Sequence, residues 1–230
     1  MSLGAHDLLG EVGFQHDPGR SDSPRAMSTR RYFEKRASAF DRLYTRQNIA
    51  MDLRQGPQLG RALAASVVAR HRNPDVLDVG CGPGRVAEAV IDAGAATYVG
   101  IDFSPHMLGL ARRRLFEDET VELVEANFLD LDVRRTFDIV LALGLFDYLD
   151  DPGRAAAWMR ARCSQTFVAS FTRWDWVKAP IRRVHYEVLH RCPISDYTES
   201  DAEELLAGAG FSSVDFIHRG RRGFFLSATP

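Results

Sequence analysis

The sequence predicts an α/β fold: a doubly wound, mostly parallel sheet with helices on both faces, an antiparallel last strand and a small helical cap. Three observations predict it. Short apolar runs rich in β-branched residues alternate with helix-periodic segments from residue 76 onward, and a glycine-rich stretch joins the first of those strands to the helix after it. The last two strands are separated by too few residues for a crossover helix.

Residues 1–28 mix Gly, Pro, Asp, Ser and His with neither hydrophobic period and read as a flexible lead-in, leaving 29–230 as one domain. Phe33, Ala37, Phe40 and Tyr44 recur at helical spacing between Arg30 and Tyr44, and a second helix from Pro57 aligns Leu59, Leu63, Val67 and Val68. The strands follow as Val76–Val79, Thr97–Ile101, Val121–Glu125, Phe137–Ala142, Thr166–Ser170, Val214–Ile217 and Phe224–Ser227. Ser104-Pro105 and Asp151-Pro152 each put a capping side chain before a proline, and Ser200 with Glu203 predicts a capping box. Only Gly220 to Gly223 and their arginines part the last two strands, which predicts a hairpin. Cap elements fall at about 30–57 and at the long connection 172–197.

The 230 residues are 45% hydrophobic and 26% charged, a composition of folded globular chains long enough to bury a core. A formal net charge of -2 supplies no global positive field, which argues against nucleic acid as a partner. No apolar run approaches the ~20 residues of a membrane span, and the N-terminus lacks the apolar core of a signal peptide. Cys81, Cys163 and Cys192 are too few and too scattered for a disulfide framework, so a cytoplasmic location is expected. His190 and Cys192 lack a second ligand pair and read as a surface pair in a basic stretch, so no structural metal is expected. The oligomeric state is left open.

The most informative stretch is Val76-Leu77-Asp78-Val79-Gly80-Cys81-Gly82-Pro83-Gly84, followed by a helix with Val86, Val90 and Ile91 on one face. Strand, glycine loop and helix in that order build a small-molecule seat at the carboxyl end of a strand: glycines let the backbone turn and leave no Cβ before the ligand, and free helix N–H groups face the same crevice. Asp102 closes the next strand eighteen positions beyond Gly84, where an acid can accept hydrogen bonds from the ribose hydroxyls of a nucleoside.

With these residues the sequence resembles the class I S-adenosylmethionine-dependent methyltransferases of the small-molecule type. Their first motif, an acid followed by G-x-G-x-G, is matched by Asp78, Gly80, Gly82 and Gly84, and Gly100-Ile101-Asp102-Phe103-Ser104 looks like their second. The resemblance runs from about Arg31 to Ala228. It implies a Rossmann-like seven-stranded sheet with a reversed last strand, and S-adenosylmethionine as cofactor, leaving as S-adenosylhomocysteine. Carried over position by position, Gly80, Cys81, Gly82 and Gly84 would pass the methionine part with Asp78 supporting the loop. Asp102 would hold the ribose, and Phe103 and Met107 would line the adenine. The family's acid after the third strand is replaced here by Ala126-Asn127-Phe128, where the Asn127 carbonyl can accept from the adenine amino group. In Leu143-Gly144-Leu145-Phe146-Asp147-Tyr148-Leu149, Leu143 would border the cofactor and the later residues would face the acceptor. Bland readings stand beside these: Asp102 as a strand-end cap, Met107 as helix packing, Asn127 as a turn residue.

Methyl transfer needs two reactants held in contact in a water-poor pocket and no fixed triad, so the acceptor decides the catalytic residues. Tyr44, Asp147, Tyr148 and His185 are the candidate proton acceptors. Arg173, Trp174, Trp176, Lys178, Arg182, Arg183, His185, Tyr186, His190 and Arg191 fill the connection before the last helix. They suit a small planar acceptor carrying a carboxylate or phosphate, or equally form the solvated face of a segment packed through Val177, Ile181, Val184 and Val188. Two rival functions remain. A nicotinamide-dependent oxidoreductase fails at the third small residue of its fingerprint, where this chain has Arg85 after Pro83. A non-catalytic S-adenosylmethionine-binding protein would keep the same glycines and Asp102.

Overall fold

The computed structural model describes residues 12–14, 23–45, 55–115, 118–175, 182, 184–189 and 191–230, with the backbone alone at 12–14, 38–45, 55–57 and 189. In chain order the strands are β1 (Val12–Phe14), β2 (Asp75–Val79), β3 (Thr97–Asp102), β4 (Val121–Glu125), β5 (Leu131–Val133), β6 (Phe137–Ala142), β7 (Cys163–Thr172), β8 (Ser213–Arg219) and β9 (Gly223–Thr229). The helices are α1 (Pro24–Thr45), α2 (Gln55–Val68), α3 (Arg85–Asp92), α4 (Pro105–Arg114), α5 (Pro152–Arg160) and α6 (Glu199–Gly208). Seven strands make one sheet in the order β4-β3-β2-β6-β7-β9-β8, all parallel except β9, which is antiparallel to both neighbours. The expected hairpin is present, closed by the Gly220 N–H to Gly223 carbonyl bond at 2.9 Å.

The strands form because both faces of the sheet are covered. Val76, Ile139, Leu141 and Val168 pack with α2 and α3, while Leu77, Val140, Phe167, Ala169 and Leu226 pack beneath α5 and α6. On that second face a column of rings, Phe146–Phe171 at 4.7 Å and Phe171–Phe224 at 5.6 Å, ties the end of β6 to the C-terminal hairpin. Both faces being apolar explains why β2, β6 and β7 read as near-continuous hydrophobic runs.

Three boundaries differ from expectation. The N-terminal stretch contributes structure before residue 29: Val12–Phe14 pairs antiparallel with β5, and α1 starts at Pro24. The cause is a Ser-Pro start at Ser23-Pro24, with the Ser23 hydroxyl accepting from the Ala26 N–H at 3.0 Å. The capping box of α6 is built by Thr198 and Asp201, not by Ser200 and Glu203. The Asp201 N–H donates to the Thr198 hydroxyl at 3.1 Å, and the Thr198 N–H donates to the Asp201 carboxylate at 2.8 Å. Cys192 is fully buried rather than at the surface. His190 lies outside the described residues, as do Trp176, Val177, Lys178, Ile181 and Arg183.

Candidate functional site

The glycine loop leaves β2 and turns back before α3. The Gly80 and Cys81 N–H groups both donate to the Ile101 carbonyl, at 2.8 and 3.1 Å, which carries the β2–β3 ladder past its end. Gly80, Gly82 and Gly84 have φ of 78°, 54° and 73°, the left-handed region that side chains resist. Each glycine is needed for a different reason. At Gly80 an added Cβ would stand 3.1 Å from Leu145 Cδ1, and at Gly84 it would stand 3.0 Å from the Ala111 Cβ of α4. At Gly82 it would meet nothing within 4 Å, so the backbone there faces open space, as a ligand-facing turn must. Arg114 fixes the far side of the loop, donating to the Pro83 carbonyl and pairing with Glu88 at 3.3 Å.

Two buried acids lie on the strands beside the loop, and one of them, Asp102, bonds to it. Asp78 is buried in β2 and accepts from the Tyr98 hydroxyl at 2.7 Å; burial pushes its carboxyl up to about 7 against the lowering effect of that bond. Asp102 ends β3, where Oδ2 accepts from the Gly82 N–H at 2.9 Å and Oδ1 from the Ser104 N–H at 2.8 Å. Burial raises it to about 6, with those two bonds pulling the other way. Cys81 points under the loop, where burial and then the Asp102 charge push its thiol well above the usual range. Its Sγ would lie 2.9 Å from a Cβ at Gly100, so the glycine in Gly100-Ile101-Asp102 makes room for this thiol.

Of the other positions expected at the cofactor, Phe103 is half-buried beside Asp102, and Met107 is buried in the first turn of α4 with its N–H 3.4 Å from the Ser104 hydroxyl. Asn127 follows β4, but its side-chain oxygen accepts from the Leu129 N–H at 3.3 Å and caps the next turn. Phe128 turns into the core, edge-on to Trp158 at 5.2 Å. Leu143, half-buried after β6, has Cδ1 3.7 Å from the Cβ position of Gly60 in α2.

Above the carboxyl ends of β6 and β7 lies a roof made by α1 and the chain around Arg182–Tyr197. Rings from three distant segments meet in it: Tyr32–Phe33 at 5.3 Å, Phe33–Tyr148 at 5.0 Å and Tyr32–Tyr186 at 5.8 Å, with the Arg36 guanidinium 5.3 Å from the Tyr32 ring centre. Burial, then Asp147 and the neighbouring phenols, raises the Tyr148 hydroxyl well above the ordinary tyrosine range. The carboxylate of Asp147 is engaged by the Thr172 N–H at 3.1 Å, the Thr172 hydroxyl at 2.5 Å and Arg182 at 3.7 Å. His185 is exposed, edge-on to Tyr186 at 5.6 Å. The Tyr44 side chain lies outside those described. Sequence reading missed Arg114 and Tyr32 and put Leu145 among the residues facing the acceptor, because their roles come from contacts with residues far away in the chain.

Residues 76–164, from β2 into β7, match the model of a family described as Methyltransferase domain. This stretch is similar to a methyltransferase domain. It holds the glycine loop, Asp102 and the turn after β6. Among curated proteins, a demethylmenaquinone methyltransferase of Clavibacter sepedonicus is 36% identical over 43% of this chain and 38% of its own length. A ubiquinone biosynthesis O-methyltransferase of Thiobacillus denitrificans is 39% identical over 36% of each. The matches span little more than a third of those relatives. Solved structures share the methyltransferase fold over nearly the whole chain. A 1,6-didemethyltoxoflavin-N1-methyltransferase of Burkholderia thailandensis, with S-adenosylhomocysteine bound, has a TM-score of 0.65 at 20% identity, covering 95% of this chain and 94% of that one. The magnesium protoporphyrin IX methyltransferase of Synechocystis, with bound SAH, has a TM-score of 0.65 at 20% identity over 87% and 96%.

Proposed function

We propose that the chain transfers the methyl group of S-adenosylmethionine to a small, planar, anionic acceptor. The observation that carries this reading is the pairing of Gly82 and Asp102: an open left-handed turn within 2.9 Å of a carboxylate that, among the described residues, accepts two hydrogen bonds and keeps lone pairs for two ribose hydroxyls. A sulfonium cofactor supplies an electrophilic methyl group. The protein's part is to hold, orient and exclude water. Gly80 to Gly84 hold the amino-acid end, Asp102 the ribose, and Phe103, Met107 and Asn127 stand where the base would lie. The Tyr32, Phe33, Tyr148 and Tyr186 rings favour a flat acceptor beneath the roof, and the exposed Arg36 beside the Tyr32 ring favours a negative one. Tyr148 remains protonated at neutral pH and donates a hydrogen bond to the acceptor oxygen instead of taking its proton. An acceptor already ionised, such as a carboxylate, fits that environment because it needs no base.

The reading extends to residues 29–230 as one functional unit with roof elements at about 30–57 and 172–197. It also places the protein in the cytoplasm, supported by three free thiols and by the lack, among described residues, of any helix long and apolar enough to cross a membrane. Calorimetric titration with S-adenosylmethionine and S-adenosylhomocysteine tests the cofactor, with NAD and NADP as controls. Binding of both sulfur nucleosides, lost in Asp102→Ala and absent for the dinucleotides, is the expected result; dinucleotide binding, or no binding, overturns the reading. Methylation of aromatic carboxylates but not of cationic amines is then expected in an acceptor screen.

A further inference from the structure

Asp147 sits in a short helical turn, Phe146–Tyr148, between two things the proposed reaction must bring together. On one side of this turn Leu145 covers the cofactor loop: its Cδ1, Cβ and Cγ lie 3.1 to 3.7 Å from where a Cβ at Gly80 would be. On the other side the turn is bonded to the roof through two consecutive carbonyls. The Phe146 carbonyl accepts from the Tyr197 hydroxyl at 3.0 Å, and the Asp147 carbonyl accepts from the Ser195 N–H at 2.8 Å and Arg25 at 3.2 Å. The Asp147 carboxylate adds a third attachment. It holds Thr172 at the end of β7, whose own carbonyl accepts from the Tyr197 N–H at 2.9 Å, and it faces Arg182. Arg182 in turn pairs with Asp196 at 2.7 Å and donates to the Ser195 carbonyl at 3.1 Å.

This is more attachment than stability of a three-residue turn requires. Every roof partner is at least 25 positions away in sequence, so these bonds tie the turn to distant chain in addition to its own Tyr148 N–H to Leu145 carbonyl bond at 3.0 Å. Asp147 and the Asp196 carboxylate are both buried and both face Arg182, so the guanidinium serves two acids from one place and cannot leave either without a large desolvation penalty. Such a cluster holds one arrangement firmly, and it does so two positions from Leu145, whose side chain lies on Gly80.

We propose that Asp147 is a positioning residue that couples the cofactor loop to the roof segment Arg191–Tyr197, so that a nucleoside cofactor seated against Gly80–Gly84 steadies the roof, and a docked roof tightens the cofactor. This rests on the methyltransferase reading given above. Linkage makes the coupling reciprocal: whatever factor the docked roof adds to cofactor affinity, the cofactor adds to roof docking, and couplings between sites run about 5–150-fold.

The test uses the full chain with S-adenosylhomocysteine as probe and reads amide hydrogen exchange at Ser195 and Tyr197 alongside calorimetric affinity. In the unaltered protein the nucleoside should slow exchange at both amides several-fold. In Asp147→Asn and in Arg182→Met that slowing should vanish and affinity should fall by the same factor, while Arg182→Lys restores part of both. A merely structural Asp147 would lower the melting temperature and raise exchange equally with and without nucleoside; that result, or unchanged slowing in both variants, overturns the proposal. Arg182→Lys guards against a misfolded Asp147→Asn, since it leaves the Thr172 bonds to Asp147 in place and keeps a cation facing both acids. If the unaltered protein fails to bind the nucleoside, the functional reading falls and takes this one with it. If it binds without slowing either amide, only the coupling falls.

Discussion

Asp102 has two tasks that pull its titration in opposite directions. Burial lifts it to about 6, yet in the role proposed for it, as an acceptor for ribose hydroxyls, it must be ionised. Binding therefore releases a proton, and affinity for S-adenosylhomocysteine should be level above about pH 7 and fall below pH 6, approaching tenfold per unit of pH. Calorimetry from pH 5 to 8 checks this, and affinity that rises on acidification would contradict it. Asp78 gives the opposite pH dependence, and needs no ligand to do so. A carboxyl raised to about 7 from 3.8 favours the folded state while protonated, so its contribution is complete below about pH 4 and is lost as pH climbs through 7. Asp78→Asn keeps an acceptor for Tyr98 and removes the charge, and its melting temperature should vary less between pH 4 and 8 than that of the unaltered protein. The three glycines should likewise separate by experiment. Gly84→Ala meets Ala111 as well as a left-handed backbone and should lose stability. Gly82→Ala meets only the backbone cost, about 1–2 kcal/mol, so its larger effect should be on nucleoside affinity.

At the scale of elements, helix starts decide where chain segments point. Thr198 and Asp201 close a reciprocal box on α6, whereas the Ser200 hydroxyl bonds only to Glu204 at 3.0 Å on the exposed side. Thr198→Ala should therefore cost about 1 kcal/mol in chemical denaturation and Ser200→Ala close to nothing; a larger cost for Ser200→Ala would mean that the box forms two residues later. Both sets of residues have capping spacing in the sequence, and only the backbone of the incoming chain, which pairs Tyr197 with Thr172 and Arg173, chooses between them. The same reason explains what was legible elsewhere. Strands β2 and β6 and the reversed β9 could be read because burial on both faces leaves an apolar run in the sequence. The start of α1 at Ser23-Pro24 carries the signature that marks α4 at Ser104-Pro105, yet the mixed composition before it hid the element. Gly80, Gly82, Gly84 and Asp102 could be read because their chemistry is local to one strand–loop–helix unit and the strand beside it. Leu145, Arg25 and the double use of Arg182 could not, since each is defined by a contact made across the fold.

At the scale of the whole molecule, the sheet and its roof are held by different forces. The sheet is an apolar core closed on both faces. The roof meets the sheet's carboxyl edge through Tyr32, Phe33, Tyr148 and Tyr186 and through the charged and polar groups around Asp147, so it has far less buried apolar surface to resist opening. The three cysteines report on the two layers separately. Cys81 and Cys163 are buried against the sheet, while Cys192 is buried in the roof near Thr29 of α1. Loosening α1 by Tyr32→Ala removes the ring that touches both Phe33 and Tyr186. Cys192 should then react with a thiol reagent at neutral pH much faster than in the unaltered protein, with Cys81 and Cys163 still protected. Mass mapping of the labelled thiols reads the result directly. If all three thiols became reactive together, roof and sheet would open as one unit, and an acceptor would reach the cofactor only through a global fluctuation. Selective labelling of Cys192 instead makes the roof the part that opens locally, which is the motion a buried methyl-transfer site needs at each turnover.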